Sequence, residues 1–391
     1  MRELFADLHV HLGRAAGRWV KVSASATLTL EGIAATARRD KGVELVGVVD
    51  LWTAPAREEL ARLLGAGRWR EVAGGGFTDG GGVTVLGGAE LALAGPRGPY
   101  HVVVLLPDRA ALERFARHLA GAGTRGERST ARFPGRLGEL ARLATAAGGI
   151  WFPAHVFTPH RGLYAAADGL AQVLEEGPAP AAVELGLSAD TAMAAGVAEL
   201  APYTFLSNSD AHSLGKLGRE ANRLRGERPC FAELAAALAG RGGRGIVANY
   251  GLDPRLGKYH RSFCPACRRT ASEPPPVLAC PRCGGKVVVG VADRVAGLTG
   301  PGAAAARPPY RHQVPLEFIP GIGPRTAARL TAALGGELAV LHLADEAALA
   351  AAAGPQAAGA VLRARRGELT VAAGGGGVYG RVRGMAGGQG A

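Results

Sequence analysis

From residue 2 to about residue 250 the chain repeats one pattern: a short apolar run, a titratable residue near its end, and a helical stretch. LFADLHVHL reads as a strand and LEGIAATARRDKG as a helix closed by Gly42. VELVGVVDLW is a second strand, with Asp50 at its end, and GVTVLGGAEL a third, carrying Glu90. HVVVLLP begins at His101 and precedes the helix RAALERFARHLAG. Residues 121–136, rich in Gly, Arg and Ser, read as a mobile loop. The strands IWFPAHVF, AAVELGL and YTFLSNSDAH follow. Strands alternating with helices predict βα units and a parallel sheet or barrel. In such folds the C-terminal strand ends are where sites are built.

Those strand ends carry a suggestive set of side chains. In Asp7-Leu8-His9-Val10-His11, residues two apart face the same side of a strand, so His9 and His11 can hold one metal ion together. Asp7 shares that face, as a ligand or as the partner that orients an imidazole. Asp50, Glu90, His101 and His155 lie at other strand termini, and Ser209-Asp210-Ala211-His212 repeats the two-residue spacing. Buried imidazoles and carboxylates are costly unless paired or ligated, so eight such groups point to metal. Mixed His and carboxylate donors suit zinc, manganese or iron better than calcium. Glu184, at another strand end, reads either as a base behind the ligands or as an arginine partner facing solvent.

Beyond residue 251 the pattern changes. Cys264-Pro-Ala-Cys267 and Cys280-Pro-Arg-Cys283 are two matched pairs followed by Gly284-Gly285, a four-thiolate zinc-ribbon pattern whose closed site has a folding role. Cys230, in an apolar helical stretch, reads as a small buried hydrophobe. Residues 316–370 are helical by pattern and include Pro320-Gly321-Ile322-Gly323-Pro324-Arg325-Thr326. Glycines before a helix let backbone N–H groups approach a phosphate, with Ile322 packing inward and Arg325 and Thr326 in the first turn. Residues 345–366 read as a degenerate second hairpin. The charge agrees: residues 241–391 hold 19 Lys and Arg against 8 Asp and Glu, nearly all of the chain's net +12. Lys258, Arg268 and Arg269 belong to that basic surface, which suits a nucleic-acid backbone.

The opening DLHVH, Glu90, His101, PAH at 153–155 and SDAH at 209–212 resemble the PHP (polymerase and histidinol phosphatase) family. The resemblance implies an α/β fold, a distorted β/α barrel binding two to three divalent ions (Zn, Mn, Mg or Fe). It implies that His9, His11, Glu90 and Asp210 hold one ion, and that Glu90, His101 and His155 hold a second. Asp50 and His212 would contribute to a third. Two departures bear on that third site: Gly17 stands where many members supply a further His, and Leu51-Trp52 follow Asp50. The order of modules, with strings such as SNSDAHSLGKLGREAN and RPPYRHQVPLEFIPGIGP, resembles the endonuclease Q family of DNA-repair nucleases from residue 2 to about 380. Pattern and composition, with that resemblance, divide the chain into a barrel over 1–250, a zinc ribbon with one structural Zn over 251–298, a helix-hairpin-helix domain over 310–372 and a glycine-rich tail, flexible by composition, over 373–391. The resemblance also implies hydrolysis of the DNA phosphodiester 5′ to deaminated bases (hypoxanthine, uracil, xanthine) or abasic sites. Acting on a base of this kind requires a flipped nucleotide in a walled pocket, and Trp52, Trp151, Phe157 and Tyr164 are candidate walls.

Three other classes use the same residues: a PHP exonuclease without lesion preference, a phosphatase of small metabolites of the histidinol-phosphatase type, and a catalytically silent DNA-binding scaffold. The phosphatase leaves the basic last third without a purpose, and the scaffold leaves the ligand set without one. The N-terminus has no signal-peptide pattern and no 18-residue apolar stretch occurs, so a soluble cytoplasmic, nucleoid-associated protein with no membrane partner is expected.

Overall fold

The computed structural model describes residues 1–300 and 306–383. Its centre is a mixed sheet built on β1 (Arg2–Val10), which is buried on both faces from Leu4 onward. In chain order the other principal strands are β2 (Leu45–Val48), β3 (Thr84–Gly95), β4 (Gly98–Leu106), β5 (Ile150–Pro153), β6 (Val183–Glu184), β7 (Phe205–Leu206), β8 (Ala221–Gly226), β9 (Gly245–Leu252) and β10 (Tyr310–Gln313). The sheet runs β5-β4-β3-β2-β1-β8-β9-β10. β1, β2 and β3 are parallel neighbours, as expected of βα units. The remainder departs from the parallel expectation. Only Pro96 and Arg97 separate β3 from β4, and so short a connection permits only an antiparallel hairpin. β8, within a stretch that carries no apolar alternation (ANRLRG), is antiparallel to both β1 and β9.

The barrel closes irregularly. Ala181 N donates to Trp151 O at 2.9 Å, and the short strands β6 and β7 pair in parallel. Between β7 and β8 side-chain amides bridge the gap. Asn222 accepts from Ser207 N (2.9 Å) and donates to Ser207 O (3.0 Å), while Asn249 donates to Phe205 O (3.1 Å). Helices such as Ala54–Gly65, Arg109–Gly121 and Leu137–Ala146 cover the sheet with their apolar stripes.

Residues 263–290 form a small unit around the cysteines, with Phe263–Cys264 antiparallel to Arg269–Thr270. The segment expected to open the helical domain begins with β10, which extends the barrel sheet beside β9. Four helices follow, Pro324–Leu334, Glu337–His342, Glu346–Ala353 and Pro355–Arg365, packed around Leu330, Val340, Leu341, Leu349 and Val361. This bundle is fastened to the barrel: Lys41 pairs with Glu337, whose other oxygen accepts Leu316 N at 2.8 Å, and His342 bonds Gln313 Oε1 at 2.7 Å.

The stretch read as the start of a flexible tail instead folds back. Thr370–Ala372 and Arg381–Arg383 form a hairpin. Gly374, Gly377 and Gly380 donate to the carbonyls of Arg255, Lys258 and Leu256 at 2.7, 3.1 and 3.0 Å. The glycines that suggested mobility permit this contact: a Cβ at Gly380 would meet Arg255 O at 2.7 Å. The rest of that expected tail, 384–391, lies outside the described residues, as do 301–305 of the linker.

Candidate metal centre and nucleic-acid interface

The site converges on Glu90, whose carboxylate is buried in the middle of β3 and not at its end, where the sequence suggests it. Its Oε1 lies 2.7 Å from His101 Nδ1, 3.5 Å from His155 Nε2 and 3.5 Å from His9 Nε2; its Oε2 lies 3.6 Å from His11 Nε2. Asp210 Oδ1 sits 3.2 Å from His11 Nε2, 3.7 Å from His9 Nε2 and 3.5 Å from His212 Nδ1. Three overlapping groups therefore have donor atoms within 4.8 Å of one another: His9, His11 and Glu90; Glu90, His101 and His155; His11, Asp210 and His212.

This set fits divalent cations on its own geometry. Among the described residues, His9 Nε2, His155 Nδ1 and Asp210 Oδ1 are buried without a hydrogen-bond partner, an arrangement expensive to keep unless a cation takes up the lone pairs. Backbone strain is concentrated here as well: His155 and Asp210 have positive φ of 31° and 45°, worth about 1–3 kcal/mol each. A Cβ on Gly186 would meet His155 Cβ at 2.8 Å. Burial alone would raise the Glu90 and Asp210 carboxyls. Neighbouring imidazoles, and Lys21 beside Glu90, outweigh it and hold both well below the usual carboxylate range. Burial lowers His101 and takes His212 to about 4, whereas at His9, His11 and His155 burial is outweighed by nearby carboxylates, which raise all three.

Around these groups stands a set of carboxylates that orient them. Glu184 Oε2 lies 3.0 Å from His9 Nδ1 and is also held by Asn208 Nδ2 at 3.1 Å. Asp50 does not join the third group as expected. Its Oδ2 meets His11 Nδ1 at 2.9 Å and Leu12 N at 2.8 Å, which places it behind the imidazole and turns His11 Nε2 toward Glu90 and Asp210. Asp7 lies outside the three ligand groups. Its carboxylate accepts Ser209 N (3.0 Å) and Gly218 N (2.9 Å), bracing the loop that carries Asp210 and His212.

Several site residues escaped the sequence reading. Lys21 Nζ is 3.0 Å from His11 Nε2 and 3.3 Å from Glu90 Oε2, and Thr130 donates to Glu90 at 2.6 Å. A lone Lys between two valines was the only signal. Asn208 could have been found from its place two residues before Asp210 in the SNSDAH string. The groups open into a cavity of about 230 Å3, also lined by His160, Lys258, Tyr259 and Tyr379. The four expected aromatic walls are not among its lining residues: Trp52, Trp151, Phe157 and Tyr164 are buried in the core.

The cysteine sulfurs converge, with Cys264 and Cys283 3.8 Å apart and Cys267 and Cys280 3.9 Å apart; all four form one candidate metal group. Backbone N–H groups of Cys283 and Arg282 help to pull the Cys280 thiol down to about 6. Of the expected basic contacts, Lys258 lines the catalytic cavity, Arg268 is exposed, and Arg269 is paired with Glu273. Gly321 has φ of 89°, Gly323 caps the helix Pro324–Leu334, and neither has a heavy atom within 4 Å of where a Cβ would stand. Ile322 is buried in the bundle core, while Arg325 is exposed in the first turn beside half-buried Thr326. Residues 346–365 pack as two helices joined at Gly354, the place read as a second hairpin.

No family model matches the chain. It is 42% identical over 391 residues to the uncharacterized protein YqxK of Bacillus subtilis, covering 98% of this chain and all of that protein. It is 36% identical over 248 residues to the uncharacterized protein MJ0043 of Methanocaldococcus jannaschii, spanning 31% of that longer chain. The lesion-specific endonuclease PfuEndoQ of Pyrococcus furiosus superposes with a TM-score of 0.83 at 30% identity, over 98% of this chain and 95% of that one. A structure of endonuclease Q with a 27-mer duplex carrying an abasic lesion at its active site superposes with a TM-score of 0.84 over 98% of this chain.

Proposed function

The chain belongs to the endonuclease Q family, a metal-dependent phosphodiesterase with an α/β fold, and we propose that it is a DNA-repair endonuclease that cuts 5′ to deaminated bases or abasic sites. The observation that carries this reading is the sharing of Glu90 and His11 among three ligand groups at the foot of a cavity that also presents Lys258, Tyr259 and Tyr379. Two to three divalent ions would be held by His9, His11, Glu90, His101, His155, Asp210 and His212. When bound, such ions activate water as the nucleophile and neutralise charge on both the attacked and the leaving oxygen.

The protein's own residues set the geometry. Glu184 and Asp50 fix the tautomers of His9 and His11 by accepting a hydrogen bond from each Nδ1–H. Lys21 places its charge between His11 and Glu90, where non-bridging phosphate oxygens would come. Tyr259, Tyr379 and His160 wall the space beside the scissile phosphate, suited to an extruded nucleotide. The N–H groups after Gly323 and the Arg325 side chain grip the backbone at a distance, independent of sequence.

The test uses end-labelled duplexes with one deoxyinosine, one deoxyuridine, one abasic site or no lesion, with manganese, magnesium or zinc, and the Asp210→Asn protein as control. A single nick 5′ to the lesion, absent from the plain duplex and from the control, is the expected result. Degradation of every duplex from an end would make the protein a general exonuclease. Phosphate release from small monoesters without any nicking would overturn the DNA reading.

A further inference from the structure

Beside the catalytic cavity lies a larger one, of about 510 Å3, which the reaction does not use. That volume is within the range of about 300–1,000 Å3 usual for ligand pockets. Tyr379 lines both cavities and its hydroxyl is held by Arg219 at 3.3 Å, so one side chain separates them. The floor is apolar, made by Leu252, Leu256, Pro315 and Val382. The lip carries Phe318, which is 55% exposed although it is a large apolar side chain. Phe318 stands three residues before Gly321, at the entrance to the phosphate-gripping hairpin.

Charge restricts what this space can take. Lys216, Arg219 and Arg381 line it; Lys41 and Glu337 neutralise one another, which among the described residues leaves Glu317 as the one lining acid without an ion-pair partner. An apolar slot with an aromatic lip and a basic lining, between a nuclease site and a DNA-gripping hairpin, has the chemistry of a nucleobase site. Extruding a damaged nucleotide into the catalytic cavity leaves its partner on the other strand unpaired and poorly stacked. We propose that the second cavity receives this orphaned base of the complementary strand, with Phe318 stacked against it. The inference rests on the endonuclease reading and assigns to the same enzyme a second base site, on the strand that is not cut.

The experiment compares kcat/KM for nicking an abasic duplex with adenine opposite the lesion and one with a second abasic site opposite, labelled on one strand. Wild-type holoenzyme, Phe318→Ala and Phe318→Trp are assayed on both. Loss of one base–aromatic stack predicts a drop of about ten-fold for Phe318→Ala on the adenine duplex. It predicts no drop where there is no base to receive, and recovery in Phe318→Trp. In parallel, 2-aminopurine opposite the abasic site reports whether the base leaves the helix: its fluorescence changes on binding wild type, and by a smaller amount with Phe318→Ala. Equal losses on both duplexes, or 2-aminopurine unaffected by the wild-type protein, would overturn the second base site. Failure of wild type to nick either duplex would instead remove the endonuclease reading. Phe318 is exposed, so its substitution leaves the folded core intact.

Discussion

Replacing Asp50 with Asn separates the two roles that residue can have. The carboxylate sits 2.9 Å from His11 Nδ1 and 2.8 Å from Leu12 N, and it belongs to none of the three ligand groups. An amide keeps the size and can still accept, but it loses the charge that strengthens both bonds. Removing a carboxylate that orients a ligating imidazole typically costs about 10–100-fold in metal affinity or activity, roughly 1.4–2.7 kcal/mol at 1.36 per decade. Nicking of an abasic duplex titrated with manganese should therefore show half-saturation moved to higher metal by that factor. The plateau rate should fall by less than about ten-fold. Glu184→Gln should behave alike through His9, because Glu184 Oε2 holds His9 Nδ1 at 3.0 Å. If Asp50 were itself a ligand, the plateau would collapse at every manganese concentration and elemental analysis would show one fewer bound ion. That result would refute the placement behind His11.

Arg325→Ala should weaken binding about uniformly across DNA sequences and reduce the salt slope by about one unit, measured by anisotropy between roughly 50 and 200 mM salt; an unchanged slope would remove Arg325 from the phosphate contact. Cys280→Ser should cost one equivalent of zinc by elemental analysis and loosen residues 263–290 to proteolysis while His9 and Asp210 keep their metals; full zinc content would refute the four-thiolate site. The His312–Asp190 contact of 3.0 Å raises the imidazole above 6.5, chiefly through the hydrogen bond to Asp190. A raised folded value means the contact stabilises fully below the unfolded value and fades as pH climbs through the folded one. Wild type should thus lose up to about 1 kcal/mol relative to His312→Gln between pH 6 and 9, small because half the imidazole faces solvent. A pH-independent difference in Tm would sink this.

The paired spacings made part of the ligand set legible because they are local, although Glu90 and His101 lie within strands and Asp210 and His212 in a loop. His9 and His11, or Asp210 and His212, announce themselves by two-residue spacing whatever the rest of the chain does. Roles within the cluster were less legible. Asp7 shares a face with His9 in the strand, yet its carboxylate turns to the 209–218 loop, which sequence spacing does not locate. Asp50 differs from a ligand only by the distance between two strands. Antiparallel β8 was invisible because Arg223 and Arg225 interrupt any apolar pattern; they pair instead with Glu3 across the sheet. The hairpin at 370–383 was misread because glycine composition alone does not separate flexibility from close packing.

That hairpin also sets an order of events in synthesis. The catalytic cavity is lined by Lys21 from early in the sequence and by Tyr379 from late in it. Strand β1 finds its partner β8 only when residues 221–226 have been made, and the mouth closes only once the glycines from 374 to 380 reach the carbonyls of 255–258. A nascent chain still held by the ribosome therefore carries imidazoles without a finished pocket around them. The wall that Tyr379 contributes is in place only after residues 374–380 have been made.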